Sequence, residues 1–194
     1  LDELSFKFSK KNIKKLIAVT GTNGKSSVAD FYYQILKLNK KKVASIGTLG
    51  IKTQNYVRKV SNTTIDPITL SMVLNKLKKE RIENVIMEAS SHGLKQNRLD
   101  GLEFKTGVFT NLSHDHLDYH KTYSNYLKSK LYLFKKLLKK NANIITDSEI
   151  PQYRKIKQIV SKNKFNIQTI SNNNGNLKII LHEYHNDKQV VKVK

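Results

Sequence analysis

Two glycines, a lysine and two serines fall within the seven residues Gly21-Thr22-Asn23-Gly24-Lys25-Ser26-Ser27, directly after the apolar run Leu16-Ile17-Ala18-Val19. These types in this order can cradle an anion. Glycines let backbone N–H groups turn inward, lysine adds a point charge, and a serine hydroxyl at a helix N-terminus can reach a magnesium ion carried by phosphates. The common phosphate-loop pattern has a glycine five residues before its second glycine, where this chain has Val19, so the loop is a shortened GxxGKS variant. An ordinary serine-capped strand-to-helix turn has the same outline, but it leaves Lys25 beside the positive end of a helix with nothing to neutralise.

Two further stretches place polar groups after apolar runs. Glu88-Ala89-Ser90-Ser91-His92-Gly93 follows Val85-Ile86-Met87, and Asn111-Leu112-Ser113-His114-Asp115-His116-Leu117-Asp118-Tyr119-His120 follows 104–110. A carboxylate at the end of a buried strand is placed to meet magnesium, which takes few protein oxygens and keeps waters. An ion pair between Glu88 and a nearby lysine is the plainer alternative, and the metal role is favoured. The histidines at 114, 116 and 120 flank Asp115 and Asp118 and could suggest zinc. Spacing argues against it: His114 and His116 cannot face one point from a helix, and no HExxH arrangement occurs.

Lys130 is anomalous in its surroundings. At about 100° per residue, Tyr123, Leu127, Leu131, Phe134, Leu137 and Leu138 fill one helical arc and Lys130 lies inside it, whereas Lys128, Lys135, Lys136, Lys139 and Lys140 lie outside. Such a lysine either snorkels to the surface or is desolvated, and a neutral amine can take up carbon dioxide.

The elements that must position these groups alternate. Strands are expected at 16–20, 43–51, 84–88, 104–110, 143–146 and 165–170, with helices at 25–38, from Asp66-Pro67 to about Glu80, at 123–140 and at 150–162. Residues 52–60 read as a short extended excursion. The pattern predicts an α/β fold with a mostly parallel, P-loop-type sheet, flanking helices and a small C-terminal antiparallel β-hairpin region. After Ser171 the texture changes: Asn172 to Gly175 read as a turn, and 177–183 and 188–193 alternate as hairpin strands. The expected organisation is a lead-in over 1–15, a core over 16–170 and a small β appendage of the same domain over 171–194.

At 194 residues and 38% hydrophobic content the chain can bury one full core. Cysteine is absent, which rules out disulfides and thiolate chemistry. No run approaches the ~20 apolar residues of a membrane span, and 1–15 lack the apolar centre of a secretion signal, so a cytoplasmic protein with no membrane partner is expected. The formal charge of +21 would ordinarily point to nucleic acid. Here the basic residues are nearly all lysines spread along the chain, arginine stands only at 58, 81, 98 and 154, and no basic cluster interleaves with aromatics as a stacking platform would. A polyanionic small substrate such as a nucleotide or nucleotide sugar fits better than a specific nucleic acid.

Taken together, GTNGKSS (21–27), NTTIDP (62–67), MEASSHGLKQNR (87–98), TNLSHDHLDYH (110–120) and a lysine fifteen residues after Asp115 resemble the Mur ligase family, ATP-dependent peptide ligases of cell-wall precursor synthesis, and most closely its MurE branch. The resemblance covers roughly residues 15–147. It implies that Gly21, Thr22, Asn23, Gly24, Lys25, Ser26, Ser27 and Asn111 bind ATP, that Ser26 and Glu88 share a magnesium ion, and that His116 holds a second with carbamylated Lys130. Catalytic roles are implied for Lys25, Glu88, His116 and Lys130. Asn62, Thr63, Thr64, Ser90, Gln96 and Arg98 would contact a UDP-muramoyl dipeptide; hydroxyls and amides suit its sugar and peptide groups, and a guanidinium can grip a carboxylate bidentately. The implied reaction transfers the ATP γ-phosphoryl group to the D-Glu carboxylate, after which an amino-acid amine displaces phosphate. Members have three domains, of which only the central, ATP-binding one is matched, so the chain alone is not expected to complete the ligation, and a monomer is expected. Another member of the superfamily, such as a folylpolyglutamate synthase, or a nucleotide-dependent binding module are the alternatives; Asn62-Thr63-Thr64 and Ser90-Ser91-His92-Gly93 favour the MurE branch.

Overall fold

The computed structural model describes residues 13–173 and 175–194; most of the expected lead-in, and Asn174 of the expected turn, lie outside them. Strand β1 (Lys15–Thr20) is buried from Ile17 onward and empties into the glycine loop. Helix α1 (Lys25–Leu38) returns the chain to β2 (Val43–Gly47), followed by β3 (Gly50–Lys52), β4 (Val57–Arg58), α2 (Pro67–Lys79) and β5 (Asn84–Glu88). Then come α3 (Ser91–Lys95), β6 (Phe104–Phe109), α4 (Leu117–His120), α5 (Tyr123–Tyr132), β7 (Leu138–Asp147), α6 (Tyr153–Asn163), β8 (Asn166–Ser171), β9 (Leu177–His185) and β10 (Lys188–Val193).

The strands form one sheet in the order β10-β9-β8-β7-β6-β1-β5-β2-β3-β4. From β8 to β2 every neighbour is parallel. Such strands are covered on both faces and read as near-continuous apolar runs, as Val85-Ile86-Met87 does. β1 lies between β5 and β6, and the chain crosses from one side of it to the other between those two strands. In an open α/β sheet that reversal opens a crevice beyond the strands' carboxyl ends. The loops after β1, β5 and β6 are the ones that carry the polar residues.

Local chemistry sets the helix starts. Asp66 caps α2, its side chain accepting from Thr69 N at 2.9 Å, with Pro67 in the first turn. Thr122 caps α5 in the same way through Asn125 N at 3.1 Å. Two expected elements differ. The strand expected at 43–51 is an antiparallel hairpin of β2 and β3, reversing at Thr48-Leu49 with Gly50 at φ 92°; apolar continuity across Ile46 and Ile51 hid the turn. The helix expected at 123–140 ends earlier: α5 passes into a π-helical turn at Leu133–Leu137, and the chain is extended from Leu138. The wider turn points Leu133, Phe134 and Leu137 inward together. Leu138 pairs with Phe104, Asn141 takes φ 58°, and the regular ladder resumes at Asn143 against Thr106.

The main core joins Phe104, Phe109, Leu131, Phe134, Leu137, Ile144 and Ile156, all nearly inaccessible. Each such side chain contributes about 1.5–3 kcal/mol on leaving water. β9 and β10 continue the sheet beyond β8 but are exposed along almost their whole length. No helix of the described residues is long and apolar enough to cross a membrane.

Candidate functional site

The glycine loop is held from the β6 side. Thr22 N donates to Asn111 O at 3.0 Å, Asn23 N donates to Asn111 Oδ1 at 2.9 Å, and Thr110 Oγ1 donates to Asn23 O at 2.6 Å. Thr22 Oγ1 accepts from Ser113 N at 3.0 Å and meets Tyr126 Oη at 3.1 Å, which ties the loop to α5. Gly24 stands at φ 81° immediately before α1, a left-handed conformation that glycine adopts without a Cβ clash. The side chain of Asn111 thus shapes the loop through Asn23. Ser27 lies exposed in the first turn of α1.

Both lysines singled out by sequence converge on one carbonyl. Lys25 Nζ donates to Gly21 O at 3.0 Å and Thr22 O at 2.8 Å, and Lys130 Nζ donates to Gly21 O at 2.6 Å. Lys130 is 1% exposed and its ammonium lies 4.5 Å from the Tyr126 ring centre, so it does not snorkel. Burial, with the positive charge of Lys25 beside it, pushes its pKa down to about 7. Lys25 is also lowered by burial, against the raising influence of Glu88 and Asp115.

Glu88, 2% exposed at the end of β5, accepts from Ser26 Oγ at 2.9 Å, from Thr48 N at 2.8 Å and from Thr48 Oγ1 at 3.3 Å. It makes no ion pair among the described residues. Gly47 permits this approach, because a Cβ there would overlap Glu88 Oε1. A cavity of about 10 Å³ touches Ser26, Asp30, Gly47 and Glu88, roughly the room one water-sized species needs. A hydroxyl and a buried carboxylate without an ion-pair partner, at the mouth of a lysine-bearing glycine loop, suit magnesium. Among the described residues no three His, Asp or Glu side chains gather to hold a metal unaided, so phosphate and water would complete its shell.

His116 stands just before the short α4 at φ 51° without a side-chain capping bond, its Nε2 at 3.4 Å from Asp115 Oδ2. Its ring stands edge-on to His92 at 4.9 Å, and His92 also packs on Tyr119 at 4.1 Å and on His120 at 5.5 Å. His120 is buried with both ring nitrogens unpartnered among the described residues, and burial lowers its pKa to about 4. His92, given no role from sequence, is the centre of this cluster. His114 turns away to stack on Tyr123.

The residues implied for the acceptor divide into two sets. Thr64 is buried: its Oγ1 donates to Glu88 O at 2.9 Å, accepts from Ser90 N at 2.9 Å and lies 3.0 Å from Ser90 Oγ, while Ser90 Oγ caps α3 through Gly93 N. These two hydroxyls are engaged inside the scaffold. Asn62 is exposed and Thr63 half-buried, Gln96 Nε2 donates to Tyr119 Oη at 3.2 Å, and Arg98 uses Nη1 on Thr64 O at 2.7 Å. Thr48, which sequence reasoning missed, bridges the sets: its Oγ1 lies 3.0 Å from Thr63 Oγ1. The Gly47-Thr48-Leu49-Gly50 spacing was the available signal. A separate groove of about 620 Å³ between α5 and α6, lined by Lys128, Lys135, Lys136, Lys155 and Lys162 over Leu127 and Leu131, contains none of these residues. Its size does not make it the site, because the groups with chemistry to perform stand elsewhere.

The family described as Mur ligase middle domain matches residues 19–194. A UDP-N-acetylmuramoyl-L-alanyl-D-glutamate--2,6-diaminopimelate ligase of Rickettsia bellii is 43% identical over 176 residues, which are 89% of this chain and 37% of that protein. One of Brucella melitensis is 46% identical over 138 residues, 71% of this chain and 28% of that protein. A solved structure of a ligase of the same name superposes with a TM-score of 0.83 at 26% identity, over 98% of this chain and 41% of that one. The chain therefore spans little more than a third of the length of such relatives, over the segment that holds the glycine loop, Glu88 and the 110–120 run, and it belongs to the Mur ligase family as its middle domain.

Proposed function

We propose that this domain uses ATP to activate the D-Glu carboxylate of UDP-N-acetylmuramoyl-L-alanyl-D-glutamate for attack by an amino-acid amine, with diaminopimelate favoured by the names of the relatives. The γ-phosphoryl group moves to the carboxylate oxygen with release of ADP. The amine then attacks the acyl carbon, phosphate leaves, and an amide bond remains. In such transfers the protein contributes mainly position and charge.

Gly21 to Ser27 would hold the triphosphate through loop N–H groups, with Lys25 leaving the carbonyls of Gly21 and Thr22 for phosphate oxygens. Ser26 and Glu88 would hold magnesium, which offsets the charge that gathers on the transferring group. Lys130, whose pKa burial pushes down to about 7, can add its neutral amine to carbon dioxide with loss of a proton, giving a carbamate to hold a second magnesium with His116. Asn62, Thr63, Gln96 and Arg98 would face the acceptor, while Thr64 and Ser90 fix the backbone that presents them. The basic surface draws polyanionic ATP and the UDP moiety, and a monomer acting in the cytoplasm without nucleic-acid or membrane partners completes the reading.

The observation that carries this reading is the buried Glu88 carboxylate, in no ion pair among the described residues, bonded to Ser26 beside a lysine-bearing glycine loop. Hydroxylamine trapping tests it: with ATP, magnesium and the UDP-muramoyl dipeptide, the chain should yield the D-Glu hydroxamate, seen by mass spectrometry, and Lys25→Ala should not. A wild type that binds ATP and dipeptide yet yields no hydroxamate would overturn the acyl-phosphate step.

A further inference from the structure

We propose that Thr48 is a positioning residue that couples the two halves of the site, and that it makes Thr63 an acceptor toward the ligand; this rests on the function proposed above. The turn between β2 and β3 presses Thr48 against the Glu88 carboxylate, which takes its N–H at 2.8 Å on Oε1 and faces its hydroxyl at 3.3 Å on Oε2. Thr63 Oγ1 approaches the same hydroxyl at 3.0 Å. An ionised carboxylate only accepts, and a threonine hydroxyl has one proton. With the Thr48 proton directed at Glu88, the contact between the threonines requires Thr63 to donate to Thr48. The relay therefore runs from Thr63 to Thr48 to Glu88.

Two consequences follow from that direction. Thr63 has no proton left to offer, so its outward lone pairs select an N–H or O–H donor on the acceptor substrate, such as a peptide amide. Occupancy also becomes linked: a ligand covering the exposed Thr48–Thr63 pair dries the relay and strengthens it, which holds Glu88 in the geometry that meets the metal. Because coupling between two binding sites is reciprocal, magnesium-nucleotide must tighten the acceptor by the same factor.

Calorimetry on this chain, titrating magnesium with a non-hydrolysable ATP analogue in the absence and presence of saturating UDP-muramoyl dipeptide, reads the coupling directly. The wild type should bind nucleotide about fivefold or more tightly with dipeptide present. Thr48→Val keeps the side-chain shape and the backbone N–H to Glu88 but loses the hydroxyl, so this ratio should fall to near one whatever the starting affinity. Thr48→Ser should restore it. Thr63→Val leaves the Thr48–Glu88 contact in place and should abolish the ratio equally, with the double variant no worse than either single one. An undiminished ratio in Thr48→Val or Thr63→Val overturns the relay. If the wild type binds both ligands with no enhancement, the inference alone fails; if it binds no magnesium-nucleotide, the proposed function fails and takes the inference with it.

Discussion

The proposed nucleotide half and the proposed acceptor half of the site commit their polar side chains differently. In the first, Lys25 rests on loop carbonyls and Ser26 on Glu88, contacts that phosphate and a cation can take over without disturbing the sheet. In the second, Thr64 and Ser90 are tied into the junction of β5, α3 and the 62–64 loop, and releasing them would leave buried donors unpaired. Adjacent residues of one motif thus do opposite work: Thr63 faces outward and Thr64 holds the frame. A motif is a mixture of binding groups and the scaffold that aims them.

That contrast can be broken at several points. Arg98→Ala should weaken the UDP-muramoyl dipeptide by about 1.5–3 kcal/mol, roughly ten- to a hundredfold, for loss of one charge-assisted contact, with little change for nucleotide; calorimetry with each ligand checks it. An equal loss for both would place Arg98 in the frame, through its bond to Thr64 O. Thr64→Val should lower stability by about 1–3 kcal/mol by stranding Ser90 N, while Thr63→Val should leave urea unfolding nearly unchanged. Similar midpoints for the two variants would erase the division between them.

A pH-dependent effect concerns Lys130 in metal-free protein. Its folded-state pKa is about 7 against an ordinary 10.5, so between those values the unfolded chain binds more protons and stability rises with pH. The penalty of burying the ammonium is fully present below pH 7 and gone above 10.5. Relative to Lys130→Met, the wild-type melting temperature should therefore climb from pH 7 to pH 10, by about 2–4 °C for each kcal/mol in a domain of this size. A difference that stays flat with pH would mean that Lys130 is solvated in the native state.

Much of this was legible in the sequence where the determinants are local. The glycine loop, β1, α1, β5 and β6 follow from periodicity and from which types can adopt a tight phosphate turn, and Lys130 stood out because a charge lay on an apolar arc. What was hidden depends on distant partners. The β2–β3 reversal reads as one apolar strand until Gly47 is seen against Glu88, a residue far along the chain. The π-helical turn at 133–137 packs Phe134 against Gly107, a contact no local pattern shows, and no spacing rule separates Thr63 from Thr64.

The loop ending in Lys25 and Ser26 is proposed here as a phosphate site that magnesium at Glu88 completes. Calorimetric titration of a non-hydrolysable ATP analogue, with and without magnesium, into wild type, Lys25→Ala and Glu88→Gln tests it most directly. Wild type should bind, more tightly with magnesium; Lys25→Ala should lose affinity in both conditions, and Glu88→Gln should lose only the gain from magnesium. Equal affinities across the three proteins would contradict the claim.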